Sequence, residues 1–141
     1  MNPLQQDGDA DGTGDACDCS PADAGLKAAP GGIASLALEI DPNSGDYRLE
    51  WDSQAQTSGP STTYDVYSGL GSMMRDGLGD FSLGTCLAED LTVTQFGVAG
   101  TDPPPGDFRY FLVRPQNNCG AGTYGGGERD LTEGLSPSAC Q

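Results

Sequence analysis

Acidic residues recur at alternate positions near the start of the chain, a spacing that suits a hard metal ion. In the twelve residues from Asp7 to Asp18, carboxylates occupy positions 1, 3, 5, 9 and 12, and Gly12 stands at position 6, where the backbone must turn sharply. Calcium takes about six to eight oxygen ligands, so this order of donors predicts a calcium-binding loop. The expected ligands are Asp7, Asp9, Asp11, Thr13 through its main-chain carbonyl, Asp15 and Asp18.

The sequence on either side of this loop indicates which kind of calcium loop it is. No helical pattern flanks it, and position 12 is Asp18 where an EF-hand uses a bidentate Glu, so an EF-hand is not expected. The stretch from Asn2 to Asp18 resembles a thrombospondin type 3 repeat, a calcium-wrapped loop of secreted proteins. The resemblance implies a calcium-binding repeat over residues 1–24, and the Gly and Pro residues that follow predict a linker over 25–32. A disordered acidic tail is the alternative.

Charge and cysteine content restrict the partners and the compartment. The net charge of −15 repels nucleic acid and anionic lipid, and no apolar run reaches about 18 residues, so neither nucleic-acid binding nor membrane insertion is expected. Five cysteines in 141 residues favour disulfides and an extracellular or cell-surface location. Zinc is the competing interpretation, although histidine is absent. Because Met1 is followed by polar residues rather than a signal peptide, an extracellular location predicts a mature or excised piece.

Alternating apolar and polar residues predict short strands over the remainder of the chain. Tyr47, Leu49 and Trp51 alternate with polar neighbours, and no long helical pattern appears. The predicted strands cover residues 34–40, 47–51, 63–70, 91–98, 108–114 and 129–135, with 71–90 ambiguous and 120–127 a glycine-rich loop. This pattern predicts an all-β, immunoglobulin-like sandwich over residues 33–141, with the calcium-binding loop at its N-terminal side.

Three short motifs carry a resemblance to a fibronectin type III domain. They are Leu49-x-Trp51, the run Tyr64–Tyr67, and the run Tyr110–Arg114 followed by Asn117-x-x-Gly120. The resemblance extends over about residues 30–136 and implies a fibronectin type III sandwich.

That topology also implies a disulfide. The loops that Cys86 and Cys119 flank would lie at the same end of the sandwich, which implies a Cys86–Cys119 bond, with Cys119 bonded to Cys17 or Cys19 as the alternative. The chain termini would lie at opposite ends, leaving Cys140 free to reach another module.

No residue is expected to be catalytic or to bind a cofactor other than Ca²⁺. Histidine-based triads are impossible without histidine, and Gly120-x-Gly122-x-x-Gly125 lacks the following helix that a nucleotide site needs. Trp51 and Tyr64 are expected in the core, Tyr124 is a candidate ligand contact, and Arg48, Arg109 and Arg114 are expected on solvated strand faces.

Two functions follow from these expectations. The first is a non-enzymatic extracellular structural module, stabilised by calcium, that joins head to tail with copies of itself or with neighbouring modules in a fibre or tandem array. Cys140 would bond the next module in such a row. The alternative is a ligand- or carbohydrate-binding accessory module of a secreted multidomain protein.

Overall fold

Two antiparallel sheets form the body of the molecule. The computed structural model describes residues 6–76, 81, 83–125 and 140. The strands are β1 (Leu36–Ile40), β2 (Tyr47–Trp51), β3 (Thr63–Leu70), β4 (Thr85–Leu91), β5 (Gln95–Val98), β6 (Arg109–Asn117) and β7 (Gly120–Ala121). Two short helices, α1 (Ala55–Ser58) and α2 (Gly71–Asp76), precede and follow β3.

The strand order divides the sheets three against four. One sheet has the order β1-β2-β5 and the other β4-β3-β6-β7. Their facing sides enclose a core of buried side chains from β2, β3 and β6, namely Leu49, Trp51, Tyr64, Val66 and Val113. The predicted all-β sandwich of the fibronectin type III kind is therefore confirmed.

The period of the side chains explains the inner core. Successive residues of a strand point to opposite faces, so Tyr47, Leu49 and Trp51 of β2 are buried while Arg48 and Glu50 are exposed. The rings of Trp51 and Tyr64 lie 5.6 Å apart, in a tilted arrangement across the two sheets. As expected from the sequence, both rings belong to the core.

Strands β3 and β6 are buried on both faces. Their inward residues join the core between the sheets, whereas their outward residues join a second apolar cluster on the far side of the four-stranded sheet. The buried members of this second cluster are Tyr67, Leu112, Tyr124 and Cys140. Two-sided burial accounts for the nearly continuous apolar sequence of β6.

The strand predicted over residues 91–98 is wrong in its extent. Leu91 ends β4 in one sheet, and Gln95 begins β5 in the other, because a turn between them carries the chain from sheet to sheet. The ambiguous segment 71–90 holds α2 and most of β4, and the glycine-rich segment contains β7. The strand predicted over 129–135 lies outside the described residues.

Candidate metal centre

The acidic stretch folds into a compact loop of turns and bends without strand or helix. The Asp15 N–H donates to the Gln6 carbonyl at 2.7 Å, which brings the two ends of the stretch together. Gly12 at position 6 has a φ of +93°, a left-handed conformation that glycine adopts readily. Ala10 has a φ of +61°, which is strained for a residue with a Cβ atom.

Side-chain hydrogen bonds fix the direction of the carboxylates. Oxygens of Asp7, Asp9, Asp11 and Asp18 accept main-chain N–H groups of the residues that follow, at 2.6–3.2 Å; the donors are Gly12, Asp11, Thr13 and Ser20. The other oxygens of three of these groups, the Oδ2 atoms of Asp9, Asp11 and Asp18, are buried and accept no hydrogen bond. A buried carboxylate oxygen without a donor is unfavourable unless a cation lies beside it.

The electrostatics of the loop also fit a bound cation. Carboxylate oxygens of Asp7, Asp9 and Asp11 lie within 4.8 Å of one another. Loss of hydration raises the pKa of Asp9 above its usual value, and the negative charges of Asp11, Asp18 and Asp7 raise it further, against a lowering hydrogen bond from the Asp11 N–H. Hard oxygen donors crowded in this way match Ca²⁺ better than a soft metal.

The remaining predicted ligands occupy different surroundings. Asp15 at position 9 accepts a hydrogen bond from the Gly8 N–H at 2.7 Å through Oδ1. A Cβ atom at Gly8 would lie 2.6 Å from the Pro21 carbonyl oxygen, so this close approach requires glycine. Thr13 donates its N–H to Asp11 and thereby fixes the turn at position 7. The carboxylates of Asp7, Asp9 and Asp11 therefore form one cluster. Asp18 is close enough for its charge to raise the pKa of Asp9, and its Oδ2 has no hydrogen-bond donor.

The disulfides differ from the Cys86–Cys119 bond implied by the family resemblance. Cys19 pairs with Cys119, which was the alternative, and Cys86 pairs with Cys140. Cys86, the second residue of β4, lies opposite Tyr67 of β3, and Tyr67 lies opposite Leu112 of β6. Cys119 lies in the turn after β6, seven residues beyond Leu112, and is therefore roughly 20 Å from Cys86, beyond the reach of a disulfide.

Cys140 is consequently not free to bond another module. Its Sγ lies 3.4 Å from the Val66 carbonyl oxygen on the outer side of the four-stranded sheet, and Cys140 itself is 2% exposed. Four of the five cysteines are oxidised, so they offer no thiolates to zinc, and Cys17 remains as an exposed thiol.

A buried ion pair on the outer face of the four-stranded sheet was missed by the sequence reasoning. Arg114, expected on a solvated face, is 2% exposed and donates from Nη2 to Asp65 Oδ2 at 2.9 Å. The same nitrogen donates to the Cys140 carbonyl at 2.9 Å, and the guanidinium lies 5.1 Å from the ring centre of Tyr124. Tyr124, a candidate ligand contact by sequence, is therefore part of this buried cluster.

Aromatic exposure bears on the alternative function. A carbohydrate-binding surface needs several exposed aromatic rings. Among the described residues, the exposed large hydrophobic side chains include one aromatic residue, Phe108. Tyr47, Trp51 and Tyr67 are buried.

The described helices include none long and apolar enough to cross a membrane.

Comparisons with known proteins add a fold-level likeness. A solved Fn3-like protein from Clostridium thermocellum matches 67% of this chain and 84% of its own, at 19% identity and a TM-score of 0.46. No protein-family model matches the sequence, and no curated protein does. At that identity and TM-score, the fold class rests on the strand order of this chain itself.

Proposed function

We propose that this chain is a non-enzymatic extracellular module stabilised by Ca²⁺ bound to its N-terminal loop. The observation that supports the calcium site best is the set of buried Oδ2 atoms of Asp9, Asp11 and Asp18, which have no hydrogen-bond donor. A divalent cation between Asp7, Asp9 and Asp11, whose carboxylate oxygens lie within 4.8 Å of one another, would supply a partner for the Asp9 and Asp11 atoms and would offset the repulsion between the carboxylates. Two intrachain disulfides support an oxidising compartment.

Calorimetric titration of the full chain with CaCl₂ tests the metal site. We expect binding heat with a Kd on the order of 10⁻⁴–10⁻³ M or tighter. Asp11→Ala should abolish this heat, because it removes a bare oxygen and the hydrogen bond to the Thr13 N–H. Asp102→Ala, which removes the same charge from an exposed position outside the loop, is the matched control and should keep the heat. Absence of heat in the unmodified chain would rule the site out.

Association with copies or neighbouring modules stays part of the proposal, but without Cys140 as the link. Because Cys140 is bonded to Cys86, contacts between modules would be noncovalent or would involve the exposed Cys17 thiol. Sedimentation in millimolar calcium and in EDTA, together with non-reducing gels, tests this. A monomer under both conditions would contradict self-association, while leaving the calcium proposal intact.

A further inference from the structure

The calcium loop is attached to one end of the sandwich by residues 19–30, which we call the clamp. The clamp contacts the end of α1 with the segment that follows it, residues 58–61, and the end of β6 with the turn that follows it, residues 117–119. The Cys19–Cys119 disulfide joins the clamp covalently to that turn, with a Cα–Cα distance of 5.7 Å. Although the sequence predicts a linker over residues 25–32, Leu26 in that range is 4% exposed.

Main-chain hydrogen bonds extend this attachment. The Lys27 N–H donates to the Ser58 carbonyl at 3.1 Å, and the Ser61 N–H donates to the Gly25 carbonyl at 3.0 Å. The side-chain amide of Asn117 donates to the Ala28 and Ser58 carbonyls, both at 2.9 Å, and so holds the clamp and the segment after α1 together. The clamp is therefore bound to the sandwich by covalent, polar and apolar contacts.

One hydrogen bond connects the clamp with a predicted ligand, and a second closes the clamp directly after the loop. Lys27, the only lysine of the chain, donates from Nζ to the main-chain carbonyl of Asp11 at 2.6 Å. The Cys19 N–H, directly after Asp18, donates to the Lys27 carbonyl at 3.2 Å. The clamp thus holds the loop at position 5 through Lys27, and the chain that leaves position 12 is fixed within the clamp at once.

We propose that the calcium loop and the sandwich unfold as one cooperative unit, so that calcium binding and sandwich stability are coupled through the clamp. This inference rests on the proposed calcium site. Without a cation the crowded carboxylates repel one another and favour an open loop. A cation that binds only the closed loop stabilises every part of the molecule that must be native for the loop to close. By linkage, a folded sandwich raises the calcium affinity by the same factor.

The test follows unfolding at a place remote from the metal. Trp51 is the only tryptophan, is 5% exposed and packs in the core between the sheets, so its fluorescence reports on the sandwich rather than the loop. At free calcium of about 100 times the Kd, we expect the Tm of the Trp51 transition to rise by roughly 10 °C relative to EDTA. Calorimetry on the same protein measures binding independently.

Variants of the clamp test the route of the coupling. Cys19→Ser combined with Cys119→Ser and Lys27→Met should reduce the calcium-induced rise in Tm to less than half, measured at the same multiple of each variant's own Kd. Cys17→Ser is the matched control, because it changes an exposed thiol outside both disulfides and should keep the full rise. If the combined variant shows no folded baseline, Lys27→Met alone retains the disulfide and should still reduce the rise.

Each outcome separates the inference from the function on which it rests. Binding heat together with an unchanged Trp51 transition would overturn the coupling and leave the calcium site standing. Absence of binding heat would overturn the calcium site and the coupling together. A full rise in Tm in the clamp variants would overturn the role of the clamp.

Discussion

Replacing Arg114 by Met should destabilise the molecule by about 3–5 kcal/mol, the usual result of leaving one member of a buried ion pair without its partner. Nη2 of Arg114 lies 2.9 Å from Oδ2 of Asp65, and both side chains are almost fully buried. At that separation the attraction is about 6 kcal/mol for an effective dielectric constant of about 20. The variant leaves the Asp65 carboxylate with neutral donors, the Asp90 N–H at 3.1 Å and Gln116 Nε2 at 3.2 Å.

Urea unfolding followed by Trp51 fluorescence at constant saturating calcium measures this loss. With an m-value of about 2 kcal/mol/M, the midpoint should fall by roughly 1.5–2.5 M. The double variant with Asp65→Asn should recover a large part of the loss, because it leaves no buried charge unpaired. A loss below about 1 kcal/mol in Arg114→Met, or no recovery in the double variant, would contradict the reasoning.

The pH dependence provides a second measurement of the same pair. Burial raises the pKa of Asp65 above its usual value, although hydrogen bonds from Arg114 and the Asp90 N–H oppose that effect. A raised pKa in the folded state means that the folded chain binds this proton more tightly than the unfolded chain. Protonation of Asp65 therefore contributes its full stabilisation when the pH is below the usual pKa of an aspartate. This stabilisation is lost as the pH rises through the pKa that Asp65 has in the folded chain. Without Arg114 the pKa of Asp65 is raised further, because a group that lowers it is lost. Lowering the pH from 7 to 5 should therefore recover more stability in Arg114→Met than in the unmodified chain.

Three other predictions concern the backbone, the loop and the cysteines. Gly59→Ala should lower the free energy of unfolding by about 2–3 kcal/mol, because Gly59 has a φ of +99° and an added Cβ would overlap the Gly25 carbonyl. Gly45→Ala is the control: its φ is +75° but the space around it is open, so the loss should be only about 1 kcal/mol. Thermal unfolding measures both. Because the pKa of Asp9 is raised above its usual value, protons should compete with calcium in calorimetry as the pH falls from 7 towards that pKa, and an affinity that stays unchanged down to the usual pKa of a carboxyl would contradict this. Alkylation before non-reducing peptide mapping should label Cys17, whereas a label on a cysteine of either disulfide would contradict the pairing.

Features set by neighbouring residues were predictable from the sequence. The burial of Leu49 and Trp51 follows from their alternation in β2, since the period of a strand is fixed by its backbone. The closeness of Asp7, Asp9 and Asp11 follows in the same way from the spacing of residues within one loop.

Features set by distant residues were not predictable. The burial of Arg114 depends on Cys140 and Tyr124 covering the outer side of the sheet, and no local pattern near β6 indicates this. The pairing of Cys86 depends on its register opposite Tyr67, because a strand shifted along its neighbour would carry the thiol to another level of the sheet. The clamp was likewise hidden, since Asn117 joins segments that lie far apart in the chain.

The Cys19–Cys119 bond determines how the molecule would carry mechanical tension. It closes a loop with a sequence separation of 100 residues, so a force applied to the two ends passes from Cys19 directly to Cys119 and bypasses the covalent chain between them. Strands β1 to β6 lie inside that closed loop, but the Cys86–Cys140 bond joins β4 to Cys140, so load beyond Cys119 acts on β4 and on the chain between Cys119 and Cys140. Between Cys119 and Cys140 the chain spans at most about 70 Å, whereas after reduction of the Cys19–Cys119 bond the shortest covalent path from Cys19 to Cys140 runs through Cys86 and spans about 230 Å, roughly 150 Å more. The two disulfides together therefore limit how far the oxidised module can lengthen under load, whatever the stability of its sheets.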